Sequence, residues 1–463
     1  MADFPQAPSY RPDPAILKLG DGFYDAVVAA DFPQTILRFR NDRAAARIGL
    51  DTLDDAQWVA HFGRFAPLPG NLREPLAMRY HGHQFRNYNP EIGDGRGFTF
   101  AQMRGADDAL YELGTKGSGQ TPYSRFGDGR LTLKGGVREI LATEMLEALG
   151  VNTSRTFSLI ETGEALQRND EPSPTRAAVM VRMSLGHIRI GTFQRLAYFG
   201  EAEAMRRLVD YCLVEMFGVE PGDDPVADFL ERVVAGTARM AAQFMVAGFV
   251  HGVLNTDNIN VMGESFDYGP WRFAPTFDPG FTAAYFDHAG LYAYGRQPDA
   301  ILWNVAQLAV SLRVISEAPP LIARLERFEP LFRAAYAAPL CRRLGVEPRD
   351  MDTDWHLKET IEAALIATRW PIDRFFFDAY GGALPASYGV EWDGVRTALA
   401  GHAPVPGGRD HACFADDAPC SMLIDEVEAI WSAIAERDDW APLHTKVAAI
   451  RAMGNALDRA DGR

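Results

Sequence analysis

Cysteine is scarce in this chain, with four residues (Cys212, Cys341, Cys413 and Cys420) in 463. Four are too few to staple a chain of this length through disulfides, and they suit a reducing compartment. Positive charge is also short, with 46 Lys and Arg against 62 Asp and Glu and a net charge of −16. That balance argues against nucleic acid or an anionic membrane surface as the principal partner, because both would repel it. No apolar run approaches the roughly 20 residues of a membrane span. The opening Met-Ala-Asp-Phe-Pro-Gln-Ala-Pro lacks the basic and apolar regions of an export signal, so a cytoplasmic protein is expected. Repeats and low-complexity blocks are missing too. His411, Cys413 and Cys420 lie close together, but their spacing matches no common zinc site. What is present is a 47% hydrophobic composition, enough for a substantial core and for two lobes.

The most informative stretch is His251-Gly-Val-Leu-Asn-Thr-Asp257-Asn258, followed by Asp267-Tyr268-Gly269. It resembles the catalytic loop and metal-binding triplet of a protein kinase, in which H-R-D-x-x-x-x-N precedes D-F-G. In that pattern the Asn and the second Asp hold metal ions against phosphates, while the first Asp accepts a proton from the attacking hydroxyl. Here the proton-accepting position is Val253, which cannot ionise, although Asn258 and Asp267 stand where the pattern puts the metal ligands. Val261 and Met262, between them, predict a short strand. Either the chain has lost turnover or it performs a different reaction on the same nucleotide. Asp257 is a carboxylate placed to serve such a reaction. A loop of turn-forming Asn and Asp is the plain alternative.

The N-terminal half supplies the accompanying parts in kinase order. Gly93-Asp-Gly95-Arg96-Gly97 is a glycine-rich turn, Phe98 to Met103 a strand, Gly105 to Asp108 a turn, and Ala109 to Lys116 a second strand ending on lysine. A helix from Gly135 to Leu149 follows, with Glu139 near its start as the partner for Lys116. One glycine turn and one lysine carry little alone; the order of five elements carries more. Further helices are expected at Ala202–Phe217, Val226–Phe249, Ala300–Ile315, Pro319–Tyr336, Leu357–Thr368, Leu423–Ile434 and Leu443–Leu457, with Gly381 to Pro419 irregular. Trp58, Phe62 and Phe65 are expected to pack the first 80 residues against the first lobe, and Trp303 and Asn304 to be structural.

The strings Gly82-His-Gln-Phe85, Ile92-Gly-Asp-Gly-Arg96, Lys116 through Arg125, Gly127-Asp-Gly-Arg130, Arg138-Glu139 and His251 through Pro270 together resemble the selenoprotein O family, the kinase-like protein adenylyltransferases. The resemblance covers about half the chain. It implies an α+β, protein-kinase-like two-lobed fold, with a mixed nucleotide-binding lobe over residues 1–190 and a mainly helical lobe over 191–463. It implies ATP bound in a flipped orientation and transfer of AMP to Ser, Thr or Tyr hydroxyls of proteins, with UMP from UTP open as a second transfer. Residue by residue, it implies nucleotide contacts from Gly93, Gly95, Arg96, Asp128 and Gly129, a Lys116–Glu139 pair, and phosphate contacts from Arg182 and Arg189. It implies Asp257 as proton acceptor and Asn258 and Asp267 as ligands of Mg2+, with Mn2+ the other ion that fits, Asp267 also lying at the nucleotide.

The chemistry agrees with that assignment. Breaking the bond between the α and β phosphates requires positive charge on the leaving pyrophosphate, which Lys116, Arg182 and Arg189 could supply. A conventional phosphotransferase using Asp257, and a nucleotide-binding scaffold without turnover, remain as alternatives. Two departures from the family pattern lie outside these roles: Arg86 stands where glycine is usual, and Gly135-Gly136 where serines are. The closing residues through Arg463 lack the family's terminal cysteine or selenocysteine, and Ala283 replaces a cysteine, so no redox switch is expected.

Overall fold

The structure is a computed structural model that describes residues 9–169, 171–415 and 417–458. It is a mixed α and β architecture. An eight-stranded antiparallel sheet is built from β1 (Tyr24–Ala26), β2 (Ile36–Arg40), β3 (Leu76–Met78), β6 (Thr99–Arg104), β7 (Leu110–Lys116), β8 (Leu131–Thr132), β9 (Arg155–Leu166) and β10 (Thr175–Ser184). Its order is β1-β3-β6-β7-β10-β9-β2, with β8 also paired to β10. A separate hairpin joins β4 (Gly82–Gln84) to β5 (Asn87–Asn89), and β11 (Phe249–Val250) pairs with β12 (Arg272–Phe273). From Ile190 onward the chain is largely helical.

The sheet is covered on both faces. Against one lies an aromatic cluster in which Trp58 stacks on Phe157 with ring centroids 4.8 Å apart, edged by Phe62, while the indole N–H donates to the Ser158 hydroxyl at 2.9 Å. Phe65 joins it through Phe98 and Phe100, so these early aromatics do pack on the sheet. The other face receives the helix Leu133–Ala148, capped by the Thr132 hydroxyl accepting from Gly135 N–H at 3.1 Å. This helix carries Glu139 and buries Val137, Ile140, Leu141, Met145 and Leu146.

Helix ends follow local chemistry. Pro225–Ala247 starts on an Asp224 cap and stops at Gly248, whose φ of 69° lets its N–H close back on Met245 and Phe244. The single helix expected over Pro319–Tyr336 is instead two, Ala318–Leu325 and Phe328–Leu344. Pro330 explains the break: it cannot donate a backbone hydrogen bond, so it is accommodated in the first turn of a new helix. Val261 and Met262 form a turn rather than the expected strand. Between Gly381 and Pro419 a helix, Asp393–Leu399, interrupts the irregular chain.

The last helices, Ile424–Arg437 and Ala441–Asp458, return to pack on Leu133–Ala148. Arg451 reaches the buried Glu144 through two bonds of 2.8 and 2.5 Å, and Lys134 reaches Glu428 at 2.7 Å. Removing the guanidinium strands a buried carboxylate. Arg451→Ala should therefore lower stability by about 2 kcal/mol, discounted for the partial exposure of Arg451. A urea melt tests this, and an unchanged midpoint would show that the pair contributes nothing.

Candidate active site

A cleft of about 740 Å³ is bounded by the glycine turn, the end of β7, the segment Tyr123–Arg130, and the loops carrying Val253–Asn258 and Asp267–Pro270. It collects Gly93, Gly95, Arg96, Lys116, Asp128, Gly129, Arg182, Arg189, Asp257, Asn258 and Asp267 from stretches far apart in sequence. Glu139 stands behind them, out of the cleft lining.

The floor of the cleft is a buried ion network. Lys116, the last residue of β7, places Nζ 2.6 Å from Glu139 Oε2 and 4.0 Å from Asp267 Oδ1. Arg182, on β10, donates from Nη1 to Asp267 Oδ1 at 2.5 Å and lies 3.6 Å from Glu139 Oε1. Arg189, just before the helix Ile190–Phe199, donates to Asp267 Oδ2 at 2.6 Å, to the Asp257 carbonyl at 2.8 Å and to Asp94 at 3.3 Å. Three cations thus converge on one carboxylate. Burial works to raise the Asp267 carboxyl, but Arg182, Arg189 and Lys116 outweigh it and hold the group well below the ordinary range. Asp267 also sits at φ 60°, a backbone conformation that non-glycine residues adopt at a cost. Burial lowers the Lys116 ammonium, with Glu139 opposing.

The loop of residues 251 to 258 is pinned from behind. His251 N–H donates to Gln297, its Nε2 lies 2.9 Å from the Phe266 carbonyl, and the Asn304 amide donates to Leu254 at 2.7 Å. Asn304 is thus the structural residue its sequence context suggested. The Asn258 amide nitrogen donates to the Val253 carbonyl at 2.9 Å, which leaves its oxygen as the end for a cation. Asp257 is different. Among the described residues its Oδ1 is buried with no side chain bonded to it, and Oδ2 meets Gln84 Nε2 at 3.5 Å. Burial pushes this carboxyl up to about 6, with Arg189 pulling the other way without cancelling it. The Asn258 oxygen and the Asp267 carboxylate line the same cleft and are oxygen donors, the kind that fits a hard divalent cation.

The glycines have a packing reason as well as a chemical one. A Cβ on Gly93 would lie 2.5 Å from the Tyr123 ring, and one on Gly95 2.9 Å from the Tyr123 carbonyl. The segment around Tyr123 is bound down on the turn: Thr121 donates to the Asp94 carbonyl and Ser124 to the Gly95 carbonyl, each at 2.5 Å. Asp128 lies on the cleft wall in a two-point pair with Arg168 at 2.8 and 3.0 Å. Sequence reasoning missed Asp94, Gln84, Tyr123 and Arg168. Asp94 stood inside the glycine turn and could have been found there; Arg168 had no local signal.

The one group of metal-capable side chains found away from the cleft among the described residues is Cys341, Asp354 and His402. Its His402 Nε2 is 2.9 Å from Asp354 Oδ1 and its Nδ1 is 3.1 Å from the Ala398 carbonyl, the geometry of a buried hydrogen-bonded pair that ties the turn after Asp393–Leu399 to the helix Met351–Thr368.

A family model described as protein adenylyltransferase SelO matches residues 8–381. Relatives named protein nucleotidyltransferase YdiU include those of Gloeobacter violaceus, 44% identical over 95% of this chain and 94% of the relative, and Synechococcus elongatus, 45% identical over 93% of each. The one from Synechocystis is 42% identical over 94% of this chain and 96% of the relative. The chain belongs to the protein adenylyltransferase SelO family.

Proposed function

We propose that this protein transfers AMP from ATP to Ser, Thr or Tyr hydroxyls of proteins, within a two-lobed kinase-like fold divided near residue 190. The observation that carries the reading is a non-ionisable Val253 together with an Asp257 carboxylate whose Oδ1 is buried and, among the described residues, unpartnered, in the same cleft as three buried cations. Asp257 takes the proton of the acceptor hydroxyl as its oxygen attacks the α phosphorus. The bond from that phosphorus to the bridging oxygen breaks, and pyrophosphate leaves. A carboxyl raised toward neutral by burial is a stronger base than an ordinary aspartate, which suits that role.

Lys116, Arg182 and Arg189 take up the charge that develops on the leaving pyrophosphate, the arginines through forked donors that match phosphate oxygens. Glu139 fixes the ammonium of Lys116. Asn258 and Asp267 would hold a divalent ion, Mg2+ or Mn2+, which when bound neutralises phosphate charge. Gly93, Gly95 and Gly129 let the nucleotide approach the backbone closely, Arg96 lines the same cleft as a nucleotide contact, and the Asp128–Arg168 pair stands at its edge. A cytoplasmic location suits the ATP supply and the reduced cysteines, and UTP would fit the same phosphate contacts.

ATP labelled on the α phosphate should label protein, either the enzyme itself or an added mixture, and ATP labelled on the γ phosphate should not. Label from γ alone would make the protein a kinase. Label from neither, with tight nucleotide binding, would make it a scaffold.

A further inference from the structure

The β4–β5 hairpin turns on Phe85 and Arg86, whose φ values are 49° and 64°. A two-residue turn with both residues left-handed is the place for Asn-Gly, and a bulky aromatic followed by arginine is strained there. Both side chains are engaged. Phe85 N–H donates to Asn255 at 3.0 Å, and its ring lies 5.0 Å from Tyr292 and 5.8 Å from Phe286. The exposed Arg86 guanidinium rests 5.2 Å from the Trp303 indole, which is held edge-on by His83 at 5.3 Å. Next to Phe286, Tyr285 is 82% exposed, and Phe286 itself 42%.

This surface adjoins Asp257. The hairpin backbone at Gly82 is so close that a Cβ there would lie 2.9 Å from Asp257 Oδ1, and Gln84 faces Oδ2. The tip of the same hairpin is tied to the loop that carries Asp257 by Phe85 N–H donating to Asn255, and it leaves Arg86 exposed. Exposed aromatics beside an arginine held on an indole are the composition of protein-recognition surfaces. The hairpin itself presents positive charge: Arg86 is the one Lys, Arg, Asp or Glu between Gly82 and Asn89. The neighbouring carboxylates Asp257 and Asp287 are buried.

We propose that the hairpin tip and Tyr285–Phe286 form the docking surface for the acceptor polypeptide, and that Arg86 selects acceptors carrying Asp or Glu beside the modified hydroxyl. This rests on the transfer reading above. The strain in the turn is retained because glycine there would remove the cation that an otherwise acidic protein needs in order to hold an acidic partner.

The test uses the full chain as wild type, Arg86→Gly and Arg86→Glu, with α-labelled ATP and two synthetic peptides, each with one serine flanked by either Asp or Lys. Wild type should prefer the Asp peptide about tenfold in kcat/KM, through KM, because the contact adds binding rather than chemistry. Arg86→Gly should bring the ratio close to unity while raising Tm, since it relieves the left-handed turn. Arg86→Glu should invert the preference, and ATP affinity should be the same in all three. An unchanged peptide ratio in Arg86→Gly, or labelling of proteins but of neither peptide, overturns the docking inference alone. No labelling of peptide or protein by wild type overturns the transfer reading and this inference with it.

Discussion

In Asp267→Ala, transfer of α label to protein should fall by about a thousandfold, the scale on which a positioned electrostatic partner in a dry site acts. The reason is the crowding of charge around one side chain. Arg182 and Arg189 each hold one of its oxygens, and Lys116 lies at 4.0 Å. Without Asp267, three buried cations retain only Glu139 and Asp94 as described carboxylate neighbours. Stability should drop by about 3 kcal/mol, the usual effect of stranding buried charge. Pyrophosphate should restore much of that loss, because its oxygens can take the places that Asp267 vacates. The result is a split between binding and turnover: pyrophosphate affinity at least equal to wild type, no metal dependence of nucleotide binding, and almost no transfer. Wild-type turnover in this variant, or undiminished wild-type turnover in excess chelator, would remove the metal from the mechanism.

The sequence made this site legible because its chemistry is carried by short strings in a fixed order. The glycine turn, Lys116, Glu139 and the 251–269 segment each have a local signature, and their order implied that they meet. The structure adds what no string contains. Asp267 is shared between two arginines from β10 and from the approach to the next helix, a relation visible only after folding. Asp94 and Gln84 were missed because their contacts, to Arg189 and Asp257, span 95 and 173 residues of sequence. In the fold, hydrophobic periodicity placed the long helices well, since a 3.6-residue apolar stripe persists over many turns. It failed at Pro330, where one missing donor splits a continuous stripe, and at Val261–Met262, where a buried valine and a half-buried methionine form a turn rather than a strand. The packing of the final helices on the Glu139 helix rests on pairs such as Arg451–Glu144, separated by 307 residues, which periodicity cannot anticipate.

Asp257→Ala should lower turnover by about a hundredfold or more, the usual contribution of a general base, with little change in nucleotide affinity. Affinity is spared because the contact from Arg189 goes to the Asp257 backbone carbonyl, which alanine keeps. The same change should stabilise the fold. Burial makes ionising this group in the folded protein unfavourable, with Oδ1 unpartnered among the described residues, and its carboxyl is pushed up to about 6 from 3.8. A raised folded value means that the folded state holds its proton more tightly than the unfolded chain does. The penalty is therefore absent below about pH 4, where both states are protonated, grows as pH rises, and is complete above about pH 6. Measured in chelator, the Tm advantage of Asp257→Ala over wild type should follow that rise. Restoring an acid by Val253→Asp should not rescue the variant, because position 253 serves the γ phosphate of a conventionally bound nucleotide and not the α phosphorus. A parallel loss of nucleotide affinity would make Asp257 a metal ligand or a structural residue. A destabilised variant would show that its unpartnered oxygen is satisfied in solution, and either result would take the proton-accepting role away from it.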